Sequence, residues 1–132
     1  MKNLIQVLLA IFGFLFIGCS EINYIGDLSN GKPHGKGKLT YDDESVYEGE
    51  WKDGKRSGKG VMIFVDGRKY EGDWLDDKKH GKGVLTWANG DKYEGEWCND
   101  KKHGQGVINY VNGSKLEGEF RDDNPWNTTL EK

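Results

Sequence analysis

From residue 24 onward, apolar and polar positions alternate in short bursts. In Tyr47-Glu48-Gly49-Glu50-Trp51 an aromatic or glycine takes every odd place and an acid every even one. A period of two predicts a strand with Tyr47, Gly49 and Trp51 on one face and Glu48 and Glu50 on the other. A polar stretch with glycine, Lys52 to Gly58, follows. A second strand is predicted near Lys59 to Phe64, with Gly60, Met62 and Phe64 sharing a face. Asp66-Gly67 then reads as a tight hairpin turn, repeated by Asn89-Gly90 and Asn112-Gly113, because such pairs accept positive φ. The first unit has Asp43-Glu44 there, which predicts a looser turn.

The whole pattern recurs every 23 residues. Position one is Tyr24, Tyr47, Tyr70, Tyr93 and Leu116, and position three is always glycine. Position five is Leu28, Trp51, Trp74, Trp97 and Phe120. Positions twelve and fourteen are glycine in all four full units, and position eighteen is Tyr41, Phe64, Trp87 and Tyr110. Of the 13 aromatics after Cys19, twelve occupy positions one, five and eighteen, and Trp126 is in the tail. A fixed period of this kind predicts a stacked array with no private catalytic cleft.

The fold class expected is all-β: an elongated, solenoid-like array of antiparallel β-hairpins. Glycines at positions three and fourteen let the rings lie across the backbone. The core is therefore assigned to Tyr47, Trp51, Phe64, Tyr70, Trp74, Trp87, Tyr93, Trp97 and Tyr110. The units run 24–46, 47–69, 70–92 and 93–115, with a partial copy at 116–126, and about nine strands are expected. Asn124-Pro125-Trp126 reads as a cap with Trp126 over the last aromatic row, and residues 127–132 read as a frayed tail.

The N-terminus reads as an address. Met1-Lys2-Asn3 precedes an apolar run from Leu4 to Ile17 that is too short to span a bilayer as a helix, so residues 1–18 are assigned to a secretory signal. Leu15-Phe16-Ile17-Gly18-Cys19-Ser20 resembles a bacterial lipoprotein box. That resemblance implies lipidation of Cys19 and anchoring to a membrane through a tether at 19–23, with Ser20 leaning towards the outer membrane in a diderm cell. The tether is at most about 14 Å long beyond Cys19.

Lys2 is the one charge in residues 1–18, so the rest carries 18 Lys+Arg against 22 Asp+Glu. This mild acidity argues against nucleic acid as a partner. Positions nine and ten gather Lys32, Lys55, Arg56, Lys78, Lys79, Lys101 and Lys102, a candidate anion-binding edge for lipid headgroups. His34, His80 and His103 share position eleven. Copies two strands apart sit roughly 9–10 Å from one another, too far to share a zinc ion, so no metal or other cofactor is expected. Paired acids such as Glu71 and Asp73 lie on an open face and read as ionised surface groups rather than a hydrolytic pair, so no catalytic residue is assigned. Cys98 occupies a position that also takes Ser29, Lys52, Leu75 and Arg121, and reads as incidental.

The unit Tyr-Glu-Gly-Glu-Trp, Lys-x-Gly-Lys-x-x-Gly-Lys-Gly-Val, aromatic, Asp/Asn-Gly resembles the MORN repeat, closely over 47–113 and more loosely over 24–46. The resemblance implies a hairpin solenoid that binds or scaffolds, with protein partners, self-association or phospholipid as possible ligands. The expectation is a membrane-anchored, non-catalytic protein-interaction scaffold at the bacterial cell envelope. The alternative is a ligand-binding module for anionic phospholipid headgroups or envelope glycan.

Overall fold

The computed structural model describes residues 23–132. The signal segment and Cys19 lie outside the described residues. Ten strands are described: β1 (Asn23–Ser29), β2 (Lys32–Thr40), β3 (Val46–Lys52), β4 (Lys55–Ile63), β5 (Lys69–Leu75), β6 (Lys78–Thr86), β7 (Lys92–Cys98), β8 (Lys101–Asn109), β9 (Lys115–Arg121) and β10 (Asn124–Glu131). They form one antiparallel sheet in strict sequence order, β1 to β10. The sheet is all-β with the 23-residue period, as the alternation predicts.

One face carries the core. The tyrosines at position one are almost fully buried, and Trp51, Trp74, Trp97 and Phe120 are buried beside them. Tyr24, Trp51, Tyr47, Trp74, Tyr70, Trp97, Tyr93 and Phe120 form an unbroken zigzag. Successive centroids are 5.0–5.6 Å apart and every contact is edge-to-face. Each such contact contributes about 0.5–1.5 kcal/mol beyond area burial, and each tryptophan touches the tyrosines of two units. Stacking therefore supplies what a lone hairpin lacks. The position-eighteen rings Tyr41, Phe64, Trp87 and Tyr110 are only partly buried at its flank.

Three expectations are corrected. The second strand of the unit starts earlier, at Lys55 rather than Lys59, because the tight turn is Asp53-Gly54 and not Asp66-Gly67. Both turn residues have positive φ here, as do Asp76-Asp77, Asn99-Asp100 and Asp122-Asp123. Asp and Asn tolerate that region best after glycine. The loop around Asp66-Gly67 is wider, closed by Phe64 N–H to Arg68 O at 2.9 Å. Second, the tail 127–132 is not frayed: β10 pairs with β9 from Asn124 to Glu131, giving ten strands instead of nine. The open edge of β9 supplies its partners. Third, Trp126 does not cover the last aromatic row; it bulges out, 64 % exposed, beneath the Arg121 guanidinium.

The fifth unit also explains its own deviation. Elsewhere a glycine at position fourteen makes room for the tyrosine ring. In the last unit Thr128 pairs with Gly118 where Gly106 pairs with Gly95. The ring at position one has become Leu116, so no phenol needs that space.

Candidate functional site

The repeated cations and the repeated acids of the unit lie on two surfaces: the tight-turn edge and the sheet face opposite the rings.

At the edge, the seven predicted cations divide by strand alternation. Lys32, Lys55, Lys78 and Lys101 open their strands and are exposed. Arg56, Lys79 and Lys102 turn onto the ring face. The Arg56 guanidinium lies 4.4 Å from the Trp74 ring centre, and the Lys79 ammonium 4.4 Å from that of Trp97. Lys102 sits 5.7 Å from the Tyr93 ring centre. Burial pushes the Lys79 ammonium below the usual lysine range, against the opposing pull of Asp100. These three are lids on the aromatic spine.

The second turn residue fastens each unit to the one before. Arg56 N–H donates to Asp77 Oδ1 at 2.8 Å, Lys79 N–H to Asp100 Oδ1 at 2.8 Å and Lys102 N–H to Asp123 Oδ1 at 2.9 Å. With Asp53, Asp76 and Asp122 on the same turns, the edge is mixed in sign rather than a basic row. The position-eleven histidines meet the turn of the next unit: His34 Nδ1 is 3.6 Å from Asp53 and His103 Nδ1 is 3.7 Å from Asp122. His80 Nδ1 is buried with no hydrogen-bond partner. Among the described residues no group of three His, Cys, Asp or Glu is arranged to hold a metal ion. Cys98 ends β7 as a free thiol, paired across the ladder with Lys101.

The opposite face is an open groove of about 1370 Å³ running from Ile25 on β1 to Glu117 on β9. Its base is bare backbone at the position-three and position-fourteen glycines, flanked by valines and charged side chains. The acids of the Tyr-Glu-Gly-Glu-Trp segment play two roles here. Those at position four are held by the fold: Glu50 accepts the Lys59 N–H at 3.2 Å, Asp73 that of Lys82 at 2.9 Å and Glu96 that of Gln105 at 2.5 Å. Each carboxylate fills the space over a position-twelve glycine of positive φ, such as Gly58 or Gly81. Burial alone raises the Asp73 carboxyl, but the hydrogen bonds from Lys59 and from the Lys82 N–H outweigh it and hold the group low. The acids at position two, Glu48, Glu71, Glu94 and Glu117, accept no backbone hydrogen bond and stand exposed along the groove.

The groove is the surface that reading by residue type missed. Its signal was present in the alternation, which already put Glu48 opposite in sense to Tyr47. What was missing was the pairing register that sets the acids of one strand beside the valines of the next.

The model of the MORN repeat matches residues 24–46, 47–67, 70–92 and 93–115. No curated protein matches the chain. Repeats of this kind are in general protein- or membrane-interaction modules and typically lack catalytic activity. With its rings, glycines and turns in phase over four consecutive copies, the chain belongs to the MORN-repeat family.

Proposed function

We propose that this chain is a non-catalytic protein-interaction scaffold, exported and held at the cell envelope by a lipid on Cys19, whose working surface is the groove opposite the aromatic spine. One observation carries the choice of surface. The groove extends across every unit, its position-two acids are exposed and accept no backbone hydrogen bond, and its valines Val61, Val84 and Val107 are only half-buried. The predicted basic edge supports the lipid-headgroup alternative less well, since three of its seven cations lie over rings and aspartates interrupt the rest. The lipoprotein box at residues 15–20 supports the anchor.

The test is crosslinking and affinity capture from envelope fractions with the full chain. Val84→Arg, in the middle of the groove, is expected to abolish capture of the partner, while Lys55→Gln with Lys78→Gln on the edge leaves it intact. The opposite pattern overturns the assignment of the surface. Mass spectrometry of the mature protein tests the anchor: an acylated Cys19 at the N-terminus is expected, and an unmodified one refutes it.

A further inference from the structure

The floor of the groove runs across the strands rather than along them. Glu48 on β3 pairs with Val61 on β4, and Val61 pairs on its other side with Glu71 on β5. The line continues through Val84 on β6, Glu94 on β7 and Val107 on β8 to Glu117 on β9. Acid and valine therefore alternate strand by strand. Adjacent strands lie about 4.8 Å apart, so consecutive acids recur about every 9.6 Å.

That interval discriminates between ligand conformations. A β-strand repeats a face about every 6.8 Å, so it comes into step only with every second acid and leaves the one between unmatched. An α-helix returns to one face after seven residues, about 10.5 Å, and drifts by almost 3 Å over three intervals. A polyproline-II helix returns to one face after three residues, about 9.3 Å, and drifts by only about 1 Å over the same span. Such a segment makes no internal hydrogen bonds and is already extended, so little order is lost on docking.

Charge fixes what the matching residues are. Six glutamates against four lysines line the groove. A second line of charges compensates itself: Lys59 pairs with Asp73, and the position-four acids are engaged by backbone N–H groups. The excess negative charge lies on the acid–valine line. It is also graded. Lys38 takes the place of a valine at the β2 end, with Lys36 beside it, whereas the β5–β9 end presents Glu71, Glu94 and Glu117. Among the described residues the ion pairs of Glu71 and Glu117 are with lysines of their own strands, the exposed Lys69 and the half-buried Lys115, and surface pairs of that kind contribute about 0–1 kcal/mol. Glu94 has no ion-pair partner among the described residues.

We propose that the groove binds a polyproline-II segment of a partner protein with Lys or Arg at every third residue. The segment lies across β5–β9 with its cations on Glu71, Glu94 and Glu117 and its apolar residues against Val84 and Val107. This deepens the scaffold reading above and rests on it.

The test is fluorescence anisotropy with the full chain in neutral detergent and a labelled peptide of four Lys-Pro-Pro triplets. Saturable binding is expected. A peptide of equal length that alternates Lys and Pro carries more charge but the wrong phase, and is expected to bind more weakly. Glu71→Gln with Glu94→Gln is expected to weaken triplet binding about fivefold, two exposed charge pairs being lost. Both sites are exposed and glutamine keeps the shape, so circular dichroism should be unchanged. Tighter binding of the alternating peptide, or an unchanged affinity in the Gln variant, overturns the proposal. If no peptide binds but Val84→Arg still abolishes capture from the envelope, the ligand class is wrong and the groove assignment stands. If Val84→Arg leaves capture intact, the groove assignment falls and this proposal with it, while binding of a partner elsewhere on the chain stands.

Discussion

The Tyr70 ring lies across Gly83, its hydroxyl donating to the Asp73 carbonyl at 2.9 Å, and fills the space that a Cβ at residue 83 would need. Tyr24 over Gly37, Tyr47 over Gly60 and Tyr93 over Gly106 repeat the arrangement. Gly83→Ala should therefore destabilise by about 1–3 kcal/mol, an overpacking cost. Removing the ring relieves it: Tyr70→Leu with Gly83→Ala should cost at least about 1 kcal/mol less than the two single changes summed. The fifth unit, with Leu116 and Thr128, is a natural form of that pair. Denaturant unfolding of the four proteins measures the coupling, and strict additivity would contradict the packing described.

Neighbouring acids should differ sharply. Glu50 accepts a backbone N–H and Glu48 does not. Glu50→Ala should lower stability by about 1 kcal/mol and Glu48→Ala by less than about 0.5 kcal/mol. Paired thermal melts would show this, and equal effects would remove the distinction between holding and free carboxylates.

Much of this fold was legible because two signals agreed: the period of two within Tyr47–Trp51 and the 23-residue spacing between copies. The tight turn was misplaced for a physical reason. Asp66-Gly67 and its counterparts contain glycine, whereas the true turns at Asp76-Asp77 and Asn99-Asp100 contain none. Their left-handed backbone is held by hydrogen bonds to the preceding unit, such as Arg56 N–H to Asp77, which local propensity cannot reveal. The tail was missed because β10 lacks alternation and takes its order from the edge of β9. The cations were half legible. Adjacent positions in a strand point to opposite faces, so Lys55 and Arg56 could have been separated once β4 was known to begin at Lys55.

Arg56 and Lys55 offer the corresponding test. Arg56 joins Asp77 through Nε at 3.1 Å and through Nη2 to the Asp77 carbonyl at 2.7 Å, with Trp74 beneath. Arg56→Ala should cost about 1–2 kcal/mol, and Lys55→Ala about nothing. Calorimetric melts decide it. A more damaging Lys55 variant would place the structural cation at the wrong position.

Alkaline pH should dissolve the spine as a unit. Burial, aided by Glu96, pushes the Tyr93 phenol up to about 12, and burial raises Tyr24, Tyr47 and Tyr70 as well. An unfolded tyrosine titrates near ~10. The unfolded chain therefore loses its phenolic protons first, so this stability is complete below pH ~10 and is lost as pH rises through the folded values. Tyrosinate absorbance should appear together with loss of the β-sheet circular dichroism signal. Titration of all the tyrosines near pH ~10 with the fold intact would contradict their burial.

Photo-crosslinking in living cells gives the most direct view of the working face. A photoreactive residue replacing Val84 should yield a crosslinked partner in the envelope, and one replacing Val65 on the exposed wide loop should yield none. Adducts from position 65 with none from position 84 would mean that the groove is not where this chain meets its partner.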